Sequence, residues 1–142
     1  MTVETILKRK GRDVATSHCD ITLQEAAREL KRRRIGALVL LDEAGNISGI
    51  ISERDIVNAL AEHGPEAAEK PACLFMSREV ITCRPQDSTE QLMRVMTERR
   101  VRHLPVVNDG HLVGIVSIGD VVKERMEEIA FEAEQMKQYI VS

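Results

Sequence analysis

Aromatic side chains are nearly missing from this sequence: its 142 residues hold no tryptophan, one tyrosine and two phenylalanines. That argues against a platform of exposed rings on which single-stranded bases stack; a base bound here would lie mainly between aliphatic side chains. Cysteine is scarce too. Cys19, Cys73 and Cys83 are odd in number and form no C-x-x-C pair, which argues against a disulfide framework or a structural zinc site. The longest apolar stretch, Ile35 to Leu41, is too short to cross a bilayer. The opening MTVETILKRKGRD has no run that could serve as a signal peptide, so the expected location is cytoplasmic. Positive charge is not in excess either: the formal net charge is −3, which argues against nucleic acid as a partner. No Walker lysine follows a glycine loop, no nucleophile stands at motif spacing from a base, and no carboxylate pair is placed for catalysis. The chain does not read as an enzyme, and no metal is expected.

What is present is a repeat. A shift of 66 positions lays Val14 on Val80, Thr16 on Thr82, Arg28 on Arg94, Arg33-Arg34 on Arg99-Arg100 and Leu38 on Leu104. One extra residue near Ala44 makes the offset 65, and then Gly49, Ile50, Ser52 and Asp55 meet Gly114, Ile115, Ser117 and Asp120. Two copies are too few for an open solenoid; they suit a pair packed about a pseudo-twofold axis.

Each copy has the same element order. A short apolar segment (Val14–Thr16; Val80–Thr82) precedes a helix opened by a capping box, Thr22-x-x-Glu25 and Ser88-x-x-Gln91. Leu23, Ala26, Ala27 and Leu30, and then Leu92, Met93 and Met96, form the inward faces. Two strands follow, 38–41 with 47–51 and 104–107 with 112–116, joined by the turns DEAGN and NDG. The stretches GIISERD and GIVSIGD lead into a second helix. The pattern is β-α-β-β-α, twice, in an α/β fold. Residues 1–62 are read as the first repeat with an N-terminal segment, 63–73 as a linker carrying Gly64, Pro65 and Pro71, 74–125 as the second repeat and 126–142 as a C-terminal helical extension.

The GIxSxxD stretch has two readings. Serine with an acid three residues later is a capping box, and Asp55 and Asp120 then complement a helix dipole. The same corner also lies at the carboxyl end of a strand and the amino end of a helix, where free N–H groups favour anions and an aspartate can hold the two hydroxyls of a ribose. The serine can do the first while the aspartate does the second.

EVITCRPQDSTEQLMRVMTERRVRHLPVVNDGHLVGIVSIGDVV, with the parallel stretch from Val14 to Val57, resembles the CBS (cystathionine-β-synthase) motif, and the tandem resembles a Bateman module. The resemblance implies adenine nucleotides (AMP, ADP, ATP, NAD(H) or S-adenosylmethionine) bound in clefts between the repeats as regulatory ligands, not catalytic cofactors. It maps the ribose aspartates to Asp55 and Asp120, the motif serines to Ser52 and Ser117, and the adenine-lining strand to Thr16 and Thr82. Phosphate contacts map to Arg102 and His103, with Arg54 a weaker candidate. The first copy has GALVLL where the second has RHLPVV, so the cations come from one side and the two clefts should differ in phosphate affinity.

Other residues have plainer readings. Lys31 to Arg34 suit a solvated helix end near the C-terminal dipole rather than a nucleic-acid patch. His103 is either a phosphate ligand or a half-exposed strand residue. His18, His63 and His111 read as surface, and Met93, Met96, Met126 and Met136 as core or interface fillers. Val122, Met126, Ile129, Ala133, Met136 and Ile140 are spaced 4, 3, 4, 3, 4, a heptad seam. It either folds back on its own subunit or is shared in a homodimer. Taken together, the sequence reads as an adenine-nucleotide-binding regulatory module, dimeric, acting on a regulated protein whose identity the sequence does not give. The alternative is a dimerising scaffold that has lost ligand binding.

Overall fold

In both copies the first long helix starts where the sequence supplies a capping box. Thr22 Oγ1 accepts from the Glu25 amide at 3.1 Å while the Glu25 carboxylate accepts from the Thr22 amide, opening α2 (Leu23–Arg33). Ser88 and Gln91 repeat the exchange at α4 (Thr89–Arg99). Both helices end on an arginine in the left-handed region, Arg34 at φ 56° and Arg100 at φ 54°. Here basic side chains close the helix, as the C-terminal dipole favours.

The computed structural model describes residues 1–141. The remaining elements are α1 (Val3–Lys10), β1 (Thr16–His18), β2 (Ala37–Leu41), β3 (Ile47–Ser52), α3 (Glu53–His63), β4 (His103–Asn108), β5 (His111–Ser117) and α5 (Ile118–Val141). The strand hairpins are equivalent in detail. β2 pairs antiparallel with β3 and β4 with β5, and each ladder shifts register at the same place, between Leu40 and Leu41 and between Val106 and Val107. The second hairpin turns on Asp109 (φ 50°) and Gly110 (φ 79°); two successive positive φ angles suit a tight I′-type connection. β1 adds a parallel third strand beside β2. In the second copy the same segment makes one isolated parallel bridge, Cys83 with Val106.

The chain divides into two compact units, and they are not the two halves of the sequence. One is Val14–Val80; the other joins Met1–Asp13 to the chain from Ile81 on. The N-terminal segment was expected with the first repeat; it belongs to the unit of the second. The reason is apolar. Val3, Ile6 and Leu7 project from one face of α1 and are buried with Leu92, Leu104 and Val116, each such burial contributing roughly 1.5–3 kcal/mol. The amides of Val3 and Glu4, which open α1, donate to the carbonyls of Asp87 and Pro85 at 2.9 Å. The stretch read as a linker is likewise part of a core. It forms two short 3₁₀ turns, Pro65–Glu69 and Ala72–Leu74, with Ala67, Ala72 and Met76 buried against Leu23, Leu38 and Ile51 of the first unit.

Each unit therefore closes over its hairpin with a segment that precedes a repeat, and this explains the glycine of each GIxSxxD. A Cβ on Gly49 would stand 2.5 Å from Met76 Sδ and 2.7 Å from the Ser77 carbonyl oxygen; on Gly114 it would stand 2.6 Å from Leu7 Cδ2. Only a residue without a side chain lets the covering segment come this close.

Candidate functional site

Two strand-to-helix corners carry the sequence candidates. In the first, β3 ends at Ser52 and α3 begins. Ser52 Oγ accepts from the Asp55 amide at 3.3 Å, and Asp55 Oδ2 accepts from the Ser52 amide at 2.8 Å and its hydroxyl at 3.0 Å. In the second, Ser117 Oγ accepts from the Asp120 amide at 3.2 Å and Asp120 Oδ2 accepts from the Ser117 amide at 2.9 Å. Both aspartates are half-buried.

The free N–H groups expected at these helix starts are fewer than the sequence suggested. The first amide of α3, Glu53, donates to the Gly36 carbonyl at 3.1 Å, and the first of α5, Ile118, to the Arg102 carbonyl at 2.8 Å. The third amide in each is the capped aspartate. That leaves the second, Arg54 and Gly119, so the carboxylates and the cations around them, rather than the helix ends, give each corner its chemistry.

The cations differ. His103 opens β4 directly opposite Ser117, and Arg102, exposed, immediately precedes it; the structure thus gathers Arg102, His103, Ser117 and Asp120 at one end of the second hairpin. At the equivalent place in the first, Ala37 lies opposite Ser52, and Arg54 is the exposed cation of the motif. Thr16 is half-buried and pairs with Val39, two residues from Ala37, in a register that continues to Ile50. Thr82 is exposed and precedes the Cys83 bridge. The two threonines are therefore equivalently placed, though only the first belongs to a strand.

One residue of the second corner was not singled out from the sequence. Lys10, the last residue of α1, places Nζ 2.7 Å from Asp120 Oδ2 and 2.9 Å from the Ile115 carbonyl oxygen. Burial pushes the Asp120 carboxyl up, but the Lys10 ammonium and the Ser117 hydrogen bonds together outweigh it and hold the pKa below the ordinary aspartate value. The first copy has the main-chain amide of Ser77 in the equivalent place, donating to the Ile50 carbonyl at 2.9 Å. Among the described residues, the hydrogen bonds of the Asp55 side chain go to Ser52.

Three other candidates take plainer places. Arg32 and Arg33 of the basic run pair with Glu29 on their own helix. His18, Cys19 and Asp20 bring one ligand atom each within 4.8 Å of one another, but the His18 Nδ1 lone pair already accepts from the Asp20 amide at 3.1 Å, as in a local turn. Cys83 is buried, and that burial first and Asp87 second push its thiol up to about 12, so no thiolate forms there near neutrality.

No helix among the described residues is long and apolar enough to cross a membrane. The heptad seam lies on solvent: Met126, Ile129, Met136 and Ile140 are each more than half exposed on α5, while Glu124 and Glu128 of the same helix are buried, with Glu124 facing Arg9 at 2.9 Å and Glu128 accepting from Thr89 Oγ1 at 3.0 Å.

The CBS domain family model matches this chain twice, over residues 3–62 and 72–127. The CBS-domain containing protein ATU1752 from Agrobacterium tumefaciens has the same fold, with a TM-score of 0.86 at 44% identity, over 87% of this chain and 92% of that one. The CBS domain pair of protein MJ0100, solved in complex with 5′-methylthioadenosine and S-adenosyl-L-methionine, gives 0.79 at 30% identity over 90% and 98%. The CBS domain protein PAE2072 from Pyrobaculum aerophilum, complexed with AMP, gives 0.75 at 29% over 84% and 89%. Duplicated hairpins, capped corners and glycines under a covering segment thus have one common account: the chain belongs to the CBS domain family, as a tandem pair of repeats.

Proposed function

We propose that this chain is a regulatory module that binds an adenine nucleotide of the AMP, ADP, ATP, NAD(H) or S-adenosylmethionine class at its two GIxSxxD corners and passes the ligand state to a partner protein without turning the ligand over. The observation that carries the reading is the pair of corners. Both hold a half-buried aspartate at a helix start, fixed by a serine three residues earlier, in a chain similar to pairs solved with AMP and with S-adenosyl-L-methionine. In this reading each aspartate accepts from a ribose diol, Thr16 and Thr82 line the adenine, and Arg102, His103 and Arg54 reach phosphate. Ligand binding would bias one conformation of the chain over another by its differential affinity for the two. The exposed seam of α5 supports a homodimer, and the cytoplasm is the proposed location. Nucleic acid and membrane are not among the proposed partners.

A second reading is favoured by one specific observation: each aspartate already serves as the reciprocal partner of a cap, so capping alone accounts for it, and a dimerising scaffold needs nothing more. A thermal-shift screen with AMP, ATP, NADH and S-adenosylmethionine separates the two. A ligand at about a hundredfold excess over its Kd adds roughly 2.7 kcal/mol of stability. A scaffold shows no shift with any of the four. Steady conversion of ATP or NADH, lost on mutating a motif residue, would remove the non-catalytic part of the proposal.

A further inference from the structure

The two corners are alike in their capping geometry and unlike in what sits on the carboxylate. Lys10 reaches Asp120 from the last turn of α1, and its ammonium divides itself between Asp120 Oδ2 and the Ile115 carbonyl. Its position is set well before its side chain begins. Val3, Ile6 and Leu7 anchor α1 in the unit's core, Leu7 lies against the bare Cα of Gly114, and Arg9 pairs with the buried Glu124 at 2.9 Å. The fixed helix sets where the Lys10 side chain starts, and its ammonium meets a half-buried carboxylate at 2.7 Å. It also uses the carboxylate oxygen that closes the cap, whereas Asp55 Oδ2 is engaged by Ser52 alone among the described residues.

We infer that Lys10 is a built-in competitor for the ribose at Asp120, and so sets the difference in nucleoside affinity between the two corners. This rests on the adenine-nucleotide reading above. A ribose diol that engages both oxygens of Asp120 must displace the ammonium or share Oδ2 with it, while at Asp55 the Oδ2 it meets carries, among the described residues, only the amide and hydroxyl of Ser52. The first corner is therefore the tighter for a ligand without phosphate. Binding at the second frees an amine at the corner whose hairpin end also carries Arg102 and His103, where a phosphate can recover the lost ion pair and an uncharged nucleoside cannot. Lys10 thus makes the second corner selective for phosphorylated ligands.

Calorimetry on the full chain tests this with adenosine and AMP as probes. In an Asp55→Ala background, which leaves Asp120 as the ribose carboxylate, Lys10→Met should tighten adenosine about tenfold, the size of one charge-assisted hydrogen bond released from competition. AMP should gain less. In an Asp120→Ala background the same substitution should leave adenosine unchanged. Lys10→Arg, which keeps a cation, should keep the weak adenosine binding. An unchanged or weakened adenosine affinity in Asp55→Ala/Lys10→Met, with the melting curve intact, overturns the inference while the nucleotide reading stands. If wild type and every variant fail to bind any adenine compound, the reading fails and the inference with it.

Discussion

The first copy covers its hairpin with main chain where the second uses a side chain. Ser77 bridges Ile50 through both of its backbone groups, whereas a lysine amine meets the equivalent Ile115 carbonyl and then the aspartate as well. The same duplicated sequence thus ends in one corner whose carboxylate is held by Ser52 and one corner whose carboxylate also holds an internal ion pair. Duplication preserved what is local, namely caps and register. One difference arrives from the segment that precedes each repeat, and that segment lies outside the repeated stretch.

The closing helices differ most. α3 stops after 11 residues at His63, while α5 runs for 24, carrying the exposed seam. Ile129→Asp with Met136→Asp places two charges in that seam and should cost a dimer several kcal/mol, roughly 2–7 for each buried polar group without a partner, with both repeats still folded. Sedimentation of wild type and variant checks it, and a wild-type protein that is monomeric at every working concentration would contradict the shared-helix proposal.

Next in size is the anchoring of α1. Leu7→Ala removes a side chain 1% exposed in the second unit's core, and it should destabilise by about 2–5 kcal/mol in urea denaturation. It should also loosen the Lys10 contact.

The two motif glycines give a finer contrast. At Gly49 an added Cβ meets a backbone oxygen, and at Gly114 only the tip of Leu7, which can move. Gly49→Ala should therefore cost about 1–3 kcal/mol, in the range of overpacked cores, and Gly114→Ala less. Equal midpoints for the two variants would show that the covering segments yield alike.

The smallest effect is on acid stability. Asp120 is held below its ordinary value, so its contribution is present above about pH 4, the unfolded aspartate value, and is lost as the pH falls through the lower folded value. Lys10→Met removes a main cause of that depression. Urea midpoints should separate wild type from Lys10→Met at pH 7, and the gap should shrink below about pH 4; a constant gap would mean that Lys10 acts through packing and not through charge.

Much of this fold could be read in advance because its determinants lie within a few residues of one another. Thr22 with Glu25, Ser88 with Gln91, and Ser52 with Asp55 are contacts over three positions, and the alternation in both hairpins announces which face is buried. The corners were legible for the same reason. α1 was not read, although Val3, Ile6 and Leu7 stand at helical spacing before a basic last turn and Gly11; that signal was present in the sequence. What was not present is its destination. Lys10 and Asp120 are 110 positions apart, and no pattern in either segment names the other. The glycines of GIxSxxD were visible as letters, but their reason, Met76 over Gly49 and Leu7 over Gly114, exists only in the folded chain.

The central claim is that Asp55 and Asp120 hold a nucleotide as well as cap a helix. The most direct measurement is AMP calorimetry on wild type, Asp55→Ala, Asp120→Ala and the double variant, each with its melting curve. The account predicts a weakening of about tenfold to a hundredfold at the altered corner in each single variant, the loss of a charge-assisted hydrogen bond worth roughly 1.5–3 kcal/mol, and no measurable AMP binding in the folded double variant. A double variant that binds AMP as wild type does would contradict it, and the repeated aspartate would then only cap its helix.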